Sequence, residues 1–185
     1  MKGLKESGTF KELKGLPEGE KAIRSRWVLS YKSDKDGSIT KTKARLVAKG
    51  FMQREGVNYN QTAAPTPAAA SVKTVLAVAN QTGFTIYHLD VKQAYIKAKL
   101  DCKIVIKRPG GCGELPGKYV NLEKALYGLK QSGLLWNDLL VEKLVTVHGM
   151  RQCMTVLRVS FDPGGQGSAD LDGGCRRHGG SWYWG

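Results

Sequence analysis

The stretch AIRSRWVLSYKSDKDGSITKTKARLVAK, residues 22–49, decides the fold of this chain. Two runs that favour strands, Ala22 to Lys32 and Ile39 to Lys49, flank the segment SDKDGS, in which Asp36-Gly37 is a strong turn signal. The stretch therefore predicts a β-hairpin. Because side chains alternate between the two faces of a strand, some of its basic residues must share a face and form a basic ribbon. The basic positions are Arg24, Arg26, Lys32, Lys41, Lys43, Arg45 and Lys49.

The chain as a whole is also strongly basic. Its 185 residues include 29 Lys and Arg against 16 Asp and Glu, a formal net charge of +13. This excess indicates a polyanionic partner such as nucleic acid, although charge alone leaves ribosomal and membrane-surface proteins open. With 41% hydrophobic residues the chain can bury a sizeable core, which excludes disorder over its whole length. No run approaches the roughly 18 apolar residues of a membrane helix and no signal peptide is recognisable, so we expect a soluble intracellular protein that contacts no membrane.

Further elements are predicted downstream of the hairpin. Thr66-Pro67 is typical of an N-cap and first helical residue, and the helix that follows should end at Gly83 and pack on a sheet. Phe84 to Leu89 predicts a short strand that ends at Asp90, and KIVIK at 103–107 predicts another. Leucines at helical spacing predict a helix over residues 134–147. We therefore expect an α+β fold, an antiparallel sheet with packed helices.

The composition changes near Cys153. From residue 162 the sequence runs DPGGQGSADLDGGCRRHGGSWYWG, which is dense in glycine and lacks helical or alternating periodicity. Such a segment buries too little apolar surface to offset the roughly 1–2 kcal/mol per residue that ordering costs. We therefore divide the chain into an N-terminal lead-in (1–21), a globular part (22–153) and a disordered tail (154–185). The four cysteines show no CxxC spacing, and we expect free thiols.

Three motifs in series carry a family resemblance. KARLVAKGFMQREGVNYNQTAAP (43–65), HLDVKQAYIKAKL (88–100) and ALYGLKQS (125–132), followed by Trp136, resemble the reverse transcriptase of copia-type long-terminal-repeat retrotransposons. The resemblance implies the fingers and part of the palm of a right-hand polymerase, a region of a Pol polyprotein that copies RNA into DNA. It also implies an RNA/DNA template-primer and a deoxynucleoside triphosphate as substrates, and other parts of the polyprotein as partners. The implied location is a cytoplasmic virus-like particle or the nucleus.

Asp90 matches the first catalytic aspartate of this family. Polymerisation is an in-line attack of a primer 3′-hydroxyl on the α-phosphate of a nucleotide, assisted by two metal ions. Mg²⁺ prefers carboxylate oxygens together with substrate phosphates. The resemblance therefore implies that Asp90 is a catalytic residue and Mg²⁺ ligand, with the backbone of Val91 near the metal and the triphosphate. Without the family, Asp90 could equally cap the segment that follows it.

Other positions match residues that hold the nucleotide and the template. Lys43 and Arg45 match the part of the fingers that grips the triphosphate, where cations stabilise developing charge. A solvated basic face would look the same in composition, and we prefer that interpretation for Lys41 and Lys49. Tyr95 matches the aromatic that packs on the sugar and excludes a ribose 2′-hydroxyl, with a half-buried core tyrosine as the alternative, and Gln131 should hydrogen-bond to sugar or base. Residues expected to contact template or primer are Arg24, Arg26, Gly128, Lys130 and Ser132.

The second catalytic motif of the family, Val-Asp-Asp in a tight hairpin, is absent from the sequence after Trp136. Asp162, Asp170 and Asp172 lie in the glycine-rich tail without flanking apolar strands. Codons that can encode residues 175–184, read one base later, yield Val-Asp-Asp-Met-Val-Val-Ala-Gly-Ile, so we hypothesise a frameshift shortly after Cys153 that the coding DNA can test. Three functions remain: a catalytically incomplete reverse transcriptase fragment, a noncatalytic basic nucleic-acid-binding module, or a polymerase that obtains its missing aspartates in trans.

Overall fold

The computed structural model describes residues 2–86, 88, 90–111, 117–147, 149, 151–152, 160–161, 175–178 and 181–184. The chain divides into two compact units. Unit 1 comprises Met1–Ala63 and Gln93–Trp136, and unit 2 comprises Ala64–Lys92 and Asn137–Gly185. The sequence-based division into a lead-in, a globular part and a tail stays a prediction.

Unit 1 is built on a five-stranded sheet in the order β1-β5-β4-β2-β3. The strands are β1 (Phe10–Leu13), β2 (Ile23–Ser33), β3 (Ile39–Ala48), β4 (Lys99–Lys107) and β5 (Tyr119–Lys124). Neighbouring strands are antiparallel except β2 and β4, which pair in parallel through Ile23 with Ile106 and Arg24 with Lys107. The predicted antiparallel sheet is therefore wrong at this pair. The reason is the long connection between β2 and β4, which lets the chain return in the same direction.

The β2–β3 hairpin confirms the prediction for residues 22–49. The Asp34 carboxylate accepts hydrogen bonds from the backbone nitrogens of Asp36 (3.1 Å) and Ser38 (2.9 Å), and Gly37 closes the turn with a φ of 83°. Along the strands, Ser30 lies opposite Lys43 and Val28 opposite Arg45. Residues that lie opposite each other share a face of the sheet.

This register places every basic residue of the two runs on one face, which we call the basic face. The pairing continues one residue past β3, where the Lys49 N–H donates to the Arg24 carbonyl oxygen at 2.8 Å. The basic face consists of Arg24, Arg26, Lys32, Lys41, Lys43, Arg45 and Lys49. The predicted basic ribbon is confirmed.

The core of unit 1 holds the base of the hairpin. Ile104, Ile106 and Leu122 are buried at the centre of the sheet, and Leu46 from β3 packs into the same cluster. Burying one such side chain contributes about 1.5–3 kcal/mol. Leu29, in the outer half of β2, is 75% exposed. The core therefore fixes the base of the hairpin, while its outer half projects into solvent.

A short helix, α1 (Lys2–Glu6), precedes β1 in unit 1. Unit 2 contains α2 (Ala69–Thr82) and most of α3 (Ser132–Thr146). The prediction for α3 is confirmed to within two residues. α2 ends at Gly83 in a left-handed conformation, as predicted, but its N-cap is Ala68, which makes no side-chain cap, so the predicted start at Thr66-Pro67 is two residues early. Val72 and Leu76 are 43% and 45% exposed. The predicted packing of this apolar face on a sheet stays a prediction.

The strand predicted over residues 84–89 is wrong at its described positions. Residues 84–86, 88 and 90 have no regular structure, and 87 and 89 lie outside the described residues. A strand needs a neighbour to satisfy its backbone groups. In the described part of unit 2, the strands pair with one another: β6 (Arg151–Gln152) with β7 (Ser160–Phe161), and β8 (Cys175–His178) with β9 (Ser181–Trp184).

The structure tests the prediction of a disordered tail at only some residues of 154–185. The paired backbones of β8 and β9 differ from the prediction at those residues, because a two-stranded pairing satisfies backbone groups without a core. Most other residues of 154–185, including Asp162, Asp170 and Asp172, lie outside the described residues. Within the described chain, no helix has the length and apolar character needed to cross a membrane.

Candidate nucleic-acid and nucleotide interface

The basic face is a set of unneutralised cations. Lys43 is half-buried, whereas Arg24, Arg26 and Arg45 are exposed. Within the described residues, none of the seven basic-face side chains makes a hydrogen bond or an ion pair. Successive cations on one strand stand about 7 Å apart, since alternate residues are separated by two rises. The face therefore presents a row of charges that are free to bind phosphates.

The ALYGLKQS loop, residues 125–132, lies directly against the base of the hairpin. The Ala48 N–H donates to the Tyr127 carbonyl oxygen at 2.8 Å. Gly128 has a φ of 87°, and a Cβ at this position would collide with the Ala48 carbonyl oxygen. A Cβ on Gly50 would collide with the Gly128 carbonyl oxygen. Two glycines thus allow the backbones to touch, which positions the loop relative to β3.

A buried amide network holds the loop from behind. Gln131 is fully buried, its Nε2 donates to the Asn58 carbonyl oxygen (2.8 Å), and its Oε1 accepts from Gln53 Nε2 (2.8 Å). Gln53 Oε1 accepts from the backbone nitrogen of Lys130 at 2.8 Å. A buried amide has to be satisfied internally. The structure therefore places Gln131 in the interior, where it positions the loop, and not on a surface that a nucleotide could contact without breaking these bonds.

The two other polar side chains of this loop differ in burial. Ser132 is buried, and its Oγ donates to the Leu126 carbonyl oxygen at 2.6 Å, so it too is a positioning residue. Lys130 is exposed, with its Nζ 2.8 Å from the Tyr59 hydroxyl oxygen and 4.4 Å from the centroid of the Tyr59 ring. A cation held over an aromatic face is oriented and keeps its charge. Of the loop residues predicted to contact template or primer, Lys130 is the exposed cation.

Tyr95 contacts an aromatic residue that sequence reasoning missed. It lies half-buried in a short 3₁₀ helix, Ala94–Lys97, and its ring packs edge-to-face on Tyr127 with centroids 4.8 Å apart and planes at 67°. Such a pair contributes about 0.5–1.5 kcal/mol beyond area burial. Because the Tyr127 carbonyl oxygen accepts a hydrogen bond from the Ala48 N–H, the Tyr95–Tyr127 pair links the candidate sugar gate to the end of β3. The only signal in the sequence is an aromatic residue inside the ALYGLKQS motif.

Asp90 and Val91 belong to unit 2, whereas all other candidate residues belong to unit 1. Asp90 is exposed in a segment without regular structure, and Val91 is half-buried. Among the described residues, no group of three or more His, Cys, Asp or Glu side chains could hold a metal ion. A pair of Mg²⁺ ions needs several carboxylate oxygens. The described donors, with Asp90 as the one candidate ligand, therefore do not fit a two-metal centre.

Cys102 is tied into the amide network, and its reactivity tests that placement. Its Sγ–H donates to the Asn58 carbonyl oxygen at 2.8 Å. Burial, together with the Asp101 carboxylate, raises the pKa of the thiol from 9.0 to about 11. The thiolate reacts with iodoacetamide, so at pH 8 we expect alkylation of Cys102 to be roughly 100-fold slower in the folded chain than in urea. A mass-spectrometric time course of the Cys102 peptide measures both rates, and equal rates would contradict the burial.

The same shift has a consequence for stability. Above pH 9 the unfolded chain releases the thiol proton while the folded chain retains it. The stabilisation from this group is therefore fully present below pH 9 and is lost as the pH rises toward about 11.

Comparison with known proteins bears on the whole of this region. Residues 9–162 match the family model described as "Reverse transcriptase (RNA-dependent DNA polymerase)". The Retrovirus-related Pol polyprotein from transposon TNT 1-94 of Nicotiana tabacum is 36% identical over 139 residues, 74% of this chain and 10% of the relative. Those from transposons RE2 and RE1 of Arabidopsis thaliana are 36% and 37% identical over 133 and 127 residues, covering 71% and 68% of this chain and 9% of each relative.

The chain spans about a tenth of the length of these curated relatives. No solved structure matches it. The family match covers the hairpin, the ALYGLKQS loop and Asp90, and it confirms the resemblance carried by the three motifs. The chain therefore belongs to the reverse transcriptase (RNA-dependent DNA polymerase) family, on the copia-type branch of retrotransposon Pol polyproteins.

Proposed function

We propose that this chain forms the nucleotide and template grip, the fingers and part of the palm, of an RNA-directed DNA polymerase. The observation that carries the proposal is the basic face, on which the register of β2 and β3 collects seven cations that have no acidic partner within the described residues. Binding several phosphates releases counterions, which is the main source of affinity for nucleic acid. An unpaired row of cations on a strand pair binds phosphates without first breaking internal ion pairs.

Within this grip the residues have different tasks. Lys43 and Arg45 bind the triphosphate, where fixed cations stabilise the charge on the leaving pyrophosphate. Arg24 and Arg26 bind the backbone of the template-primer, and Lys130 adds a further cation. Tyr95, held by Tyr127, packs on the nucleotide sugar. The support for these assignments is the match to the family motifs together with the exposure of Arg24, Arg26, Arg45 and Lys130; Lys43 is half-buried on the same face.

Gly128 and two buried residues of the ALYGLKQS loop support this surface from behind. Gly128, Gln131 and Ser132 act on template and nucleotide indirectly, by holding the loop against Ala48 and Gln53. A loop held by a rigid network keeps its exposed groups in place before a ligand arrives, which lowers the cost of binding.

The proposal includes an incomplete catalytic centre. Asp90 supplies one carboxylate, the described residues hold no cluster of metal ligands, and the family chemistry calls for two Mg²⁺ ions. Residues from elsewhere in a Pol polyprotein, or from an intact copy, would have to complete the centre. This same observation favours the second candidate function, a noncatalytic basic module that binds nucleic acid through the basic face.

A salt titration tests the basic face. The quadruple variant Arg24→Gln/Arg26→Gln/Lys43→Gln/Arg45→Gln is expected to flatten the log–log salt dependence of binding to an RNA/DNA heteroduplex. The slope falls by about 0.9 for each phosphate that the variant no longer neutralises, and hence by up to about 3.6. Filter binding between low and moderate NaCl concentrations measures the slope.

The control variant removes the same charge elsewhere. Lys14, Lys35, Lys73 and Lys97 are exposed, and their side chains make no hydrogen bond or ion pair within the described chain, so their simultaneous replacement by Gln should leave the slope nearly unchanged. Equal decreases of the slope in the two variants would show that net charge alone drives binding, and the proposed grip would be rejected.

A further inference from the structure

A cavity of about 530 Å³ lies in unit 1, and none of its lining residues is among those proposed above to contact nucleotide, template or primer. Its walls come from three separate segments: residues 19–23 before and at the start of β2, the turn containing Met52, Arg54, Val57 and Asn58, and Lys103 with Val105 on β4. The volume is in the range of sites that enclose small organic ligands. None of its cations belongs to the basic face.

The chemistry of the cavity combines an apolar surface with positive charge. Ile23 and Val105 are buried, while Met52 and Val57 are 37% and 67% exposed. Lys103 is paired with the Glu20 carboxylate, but the Lys21 ammonium and the Arg54 guanidinium have no partner within the described residues. The lining therefore carries a net charge of about +2 beside an apolar surface, which suits a ligand with one flat apolar part and one anionic part.

The wall that carries Arg54 and Val57 is preformed. The Asn58 N–H donates to the Arg54 carbonyl oxygen (2.9 Å), and Asn58 Oδ1 accepts from the Arg54 N–H (3.2 Å). The Asn58 carbonyl oxygen accepts hydrogen bonds from Gln131 and Cys102, both at 2.8 Å. A turn braced by this network loses little conformational entropy when a ligand binds.

We infer that this cavity binds a single nucleotide unit of an unpaired nucleic-acid strand, with the base on the apolar surface and the phosphate at Lys21 and Arg54. A base has a flat apolar face that can pack on the apolar lining formed by Met52, Val57 and Val105, and its phosphate matches the two unpaired cations. In a duplex the faces of the bases are stacked on one another, so an unpaired strand is what presents a base face to the apolar surface, and the site selects single strands over duplexes. The proposed polymerase would then have a second site that binds its template. The inference rests on the proposed function only in naming the bound strand as the template.

The test compares a cavity variant with a charge-matched control. Lys21→Gln/Arg54→Gln is expected to weaken binding of a fluorescein-labelled single-stranded RNA 12-mer about tenfold by anisotropy, since two cations that bind phosphate are removed. The control Lys14→Gln/Lys35→Gln should change it less than about twofold. Binding of a blunt 12-bp RNA/DNA duplex should be the same in both variants. Equal weakening in the two variants, or equal weakening for single strand and duplex, would overturn the inference.

A second variant probes the apolar surface. Val57→Asp should fold, because Val57 is 67% exposed, and it should also weaken 12-mer binding about tenfold by adding a carboxylate beside the phosphate site. Unchanged 12-mer binding in this variant would show that no base lies on Val57.

Two further arms identify the source of the nucleotide. AMP should compete with the 12-mer at millimolar concentration. AMP binding that depends on Lys21 and Arg54, with no effect of the cavity variant on the 12-mer, would assign the cavity to a free nucleotide and overturn the strand assignment. Phosphatidylserine vesicles should not bind in a way that depends on Lys21 and Arg54, and such binding would also overturn it. Failure of the proposed function is a separate outcome, because it would appear as unchanged heteroduplex binding in the basic-face variant.

Discussion

Replacement of Gly128 by alanine is expected to lower the free energy of unfolding by about 3 kcal/mol or more, enough to unfold a marginal domain. Two effects combine at this residue. Its φ of 87° is a conformation that costs an L residue roughly 1–2 kcal/mol. The new Cβ would also collide with the Ala48 carbonyl oxygen and lie 2.6 Å from Val47 Cγ1, and neither β3 nor the ALYGLKQS loop can move without breaking the Ala48–Tyr127 hydrogen bond. Urea unfolding followed by circular dichroism measures the decrease.

Two control variants separate these effects. Gly37 has a similar φ of 83° but open space around it, so Gly37→Ala should cost only the backbone strain of roughly 1–2 kcal/mol. Gly50→Ala should resemble Gly128→Ala, because its Cβ would collide with the Gly128 carbonyl oxygen although no left-handed φ is involved. If Gly128→Ala and Gly37→Ala were equally destabilising, the loop would not touch β3 as described.

The chain alone is expected to extend a primer at no more than the background rate, and Asp90→Asn should leave that rate unchanged. The described donors supply one candidate metal ligand for a reaction that uses two metal ions. The measurement is incorporation of dTTP on a poly(rA)·oligo(dT) template-primer with Mg²⁺. Binding of the same template-primer, measured in the same preparation, is the control for folding, because Asp90 is exposed and its replacement by Asn should not affect the fold.

Each outcome of this experiment favours a different function. Binding without incorporation supports either an incomplete polymerase or the noncatalytic module. Incorporation by the chain alone that disappears in Asp90→Asn would overturn the incomplete centre. A further reaction would contain a full-length copia-type reverse transcriptase whose own first catalytic aspartate has been replaced. Incorporation in that mixture, and in neither protein alone, would support completion in trans.

Local sequence features predicted the parts of the fold that depend on local physics. The hairpin follows from period-two alternation and from the turn chemistry of Asp34 and Gly37, and the end of α2 follows from Gly83. The prediction for Phe84 to Leu89 failed at its described positions, because a strand forms only where another strand supplies hydrogen-bond partners. The apolar face of α2 likewise depends on what lies against it.

In the candidate site, too, local sequence features predicted some placements and not others. Lys43 and Arg45 were predicted as functional cations, and strand alternation places them with the other basic residues because opposite positions share a face. Gln131 and Ser132 come from an equally clear motif, yet both are buried and bonded internally. A polar residue in a loop motif carries no sequence signal that separates contact with a ligand from contact with the protein interior.

By itself, the sequence determined the family, the hairpin at residues 22–49 and a basic ribbon in which some of its cations share a face, because motif spacing and strand alternation are properties of the linear chain. The register between β2 and β3 then placed all seven cations on one face. Only the tertiary structure decided that β2 and β4 run in parallel, that Gly50 and Gly128 bring the ALYGLKQS loop against β3, and that Tyr127 holds Tyr95. It also formed the cavity at Lys21 and Arg54 from three distant segments. These features depend on which distant parts of the chain meet, and that is set by packing of the whole core.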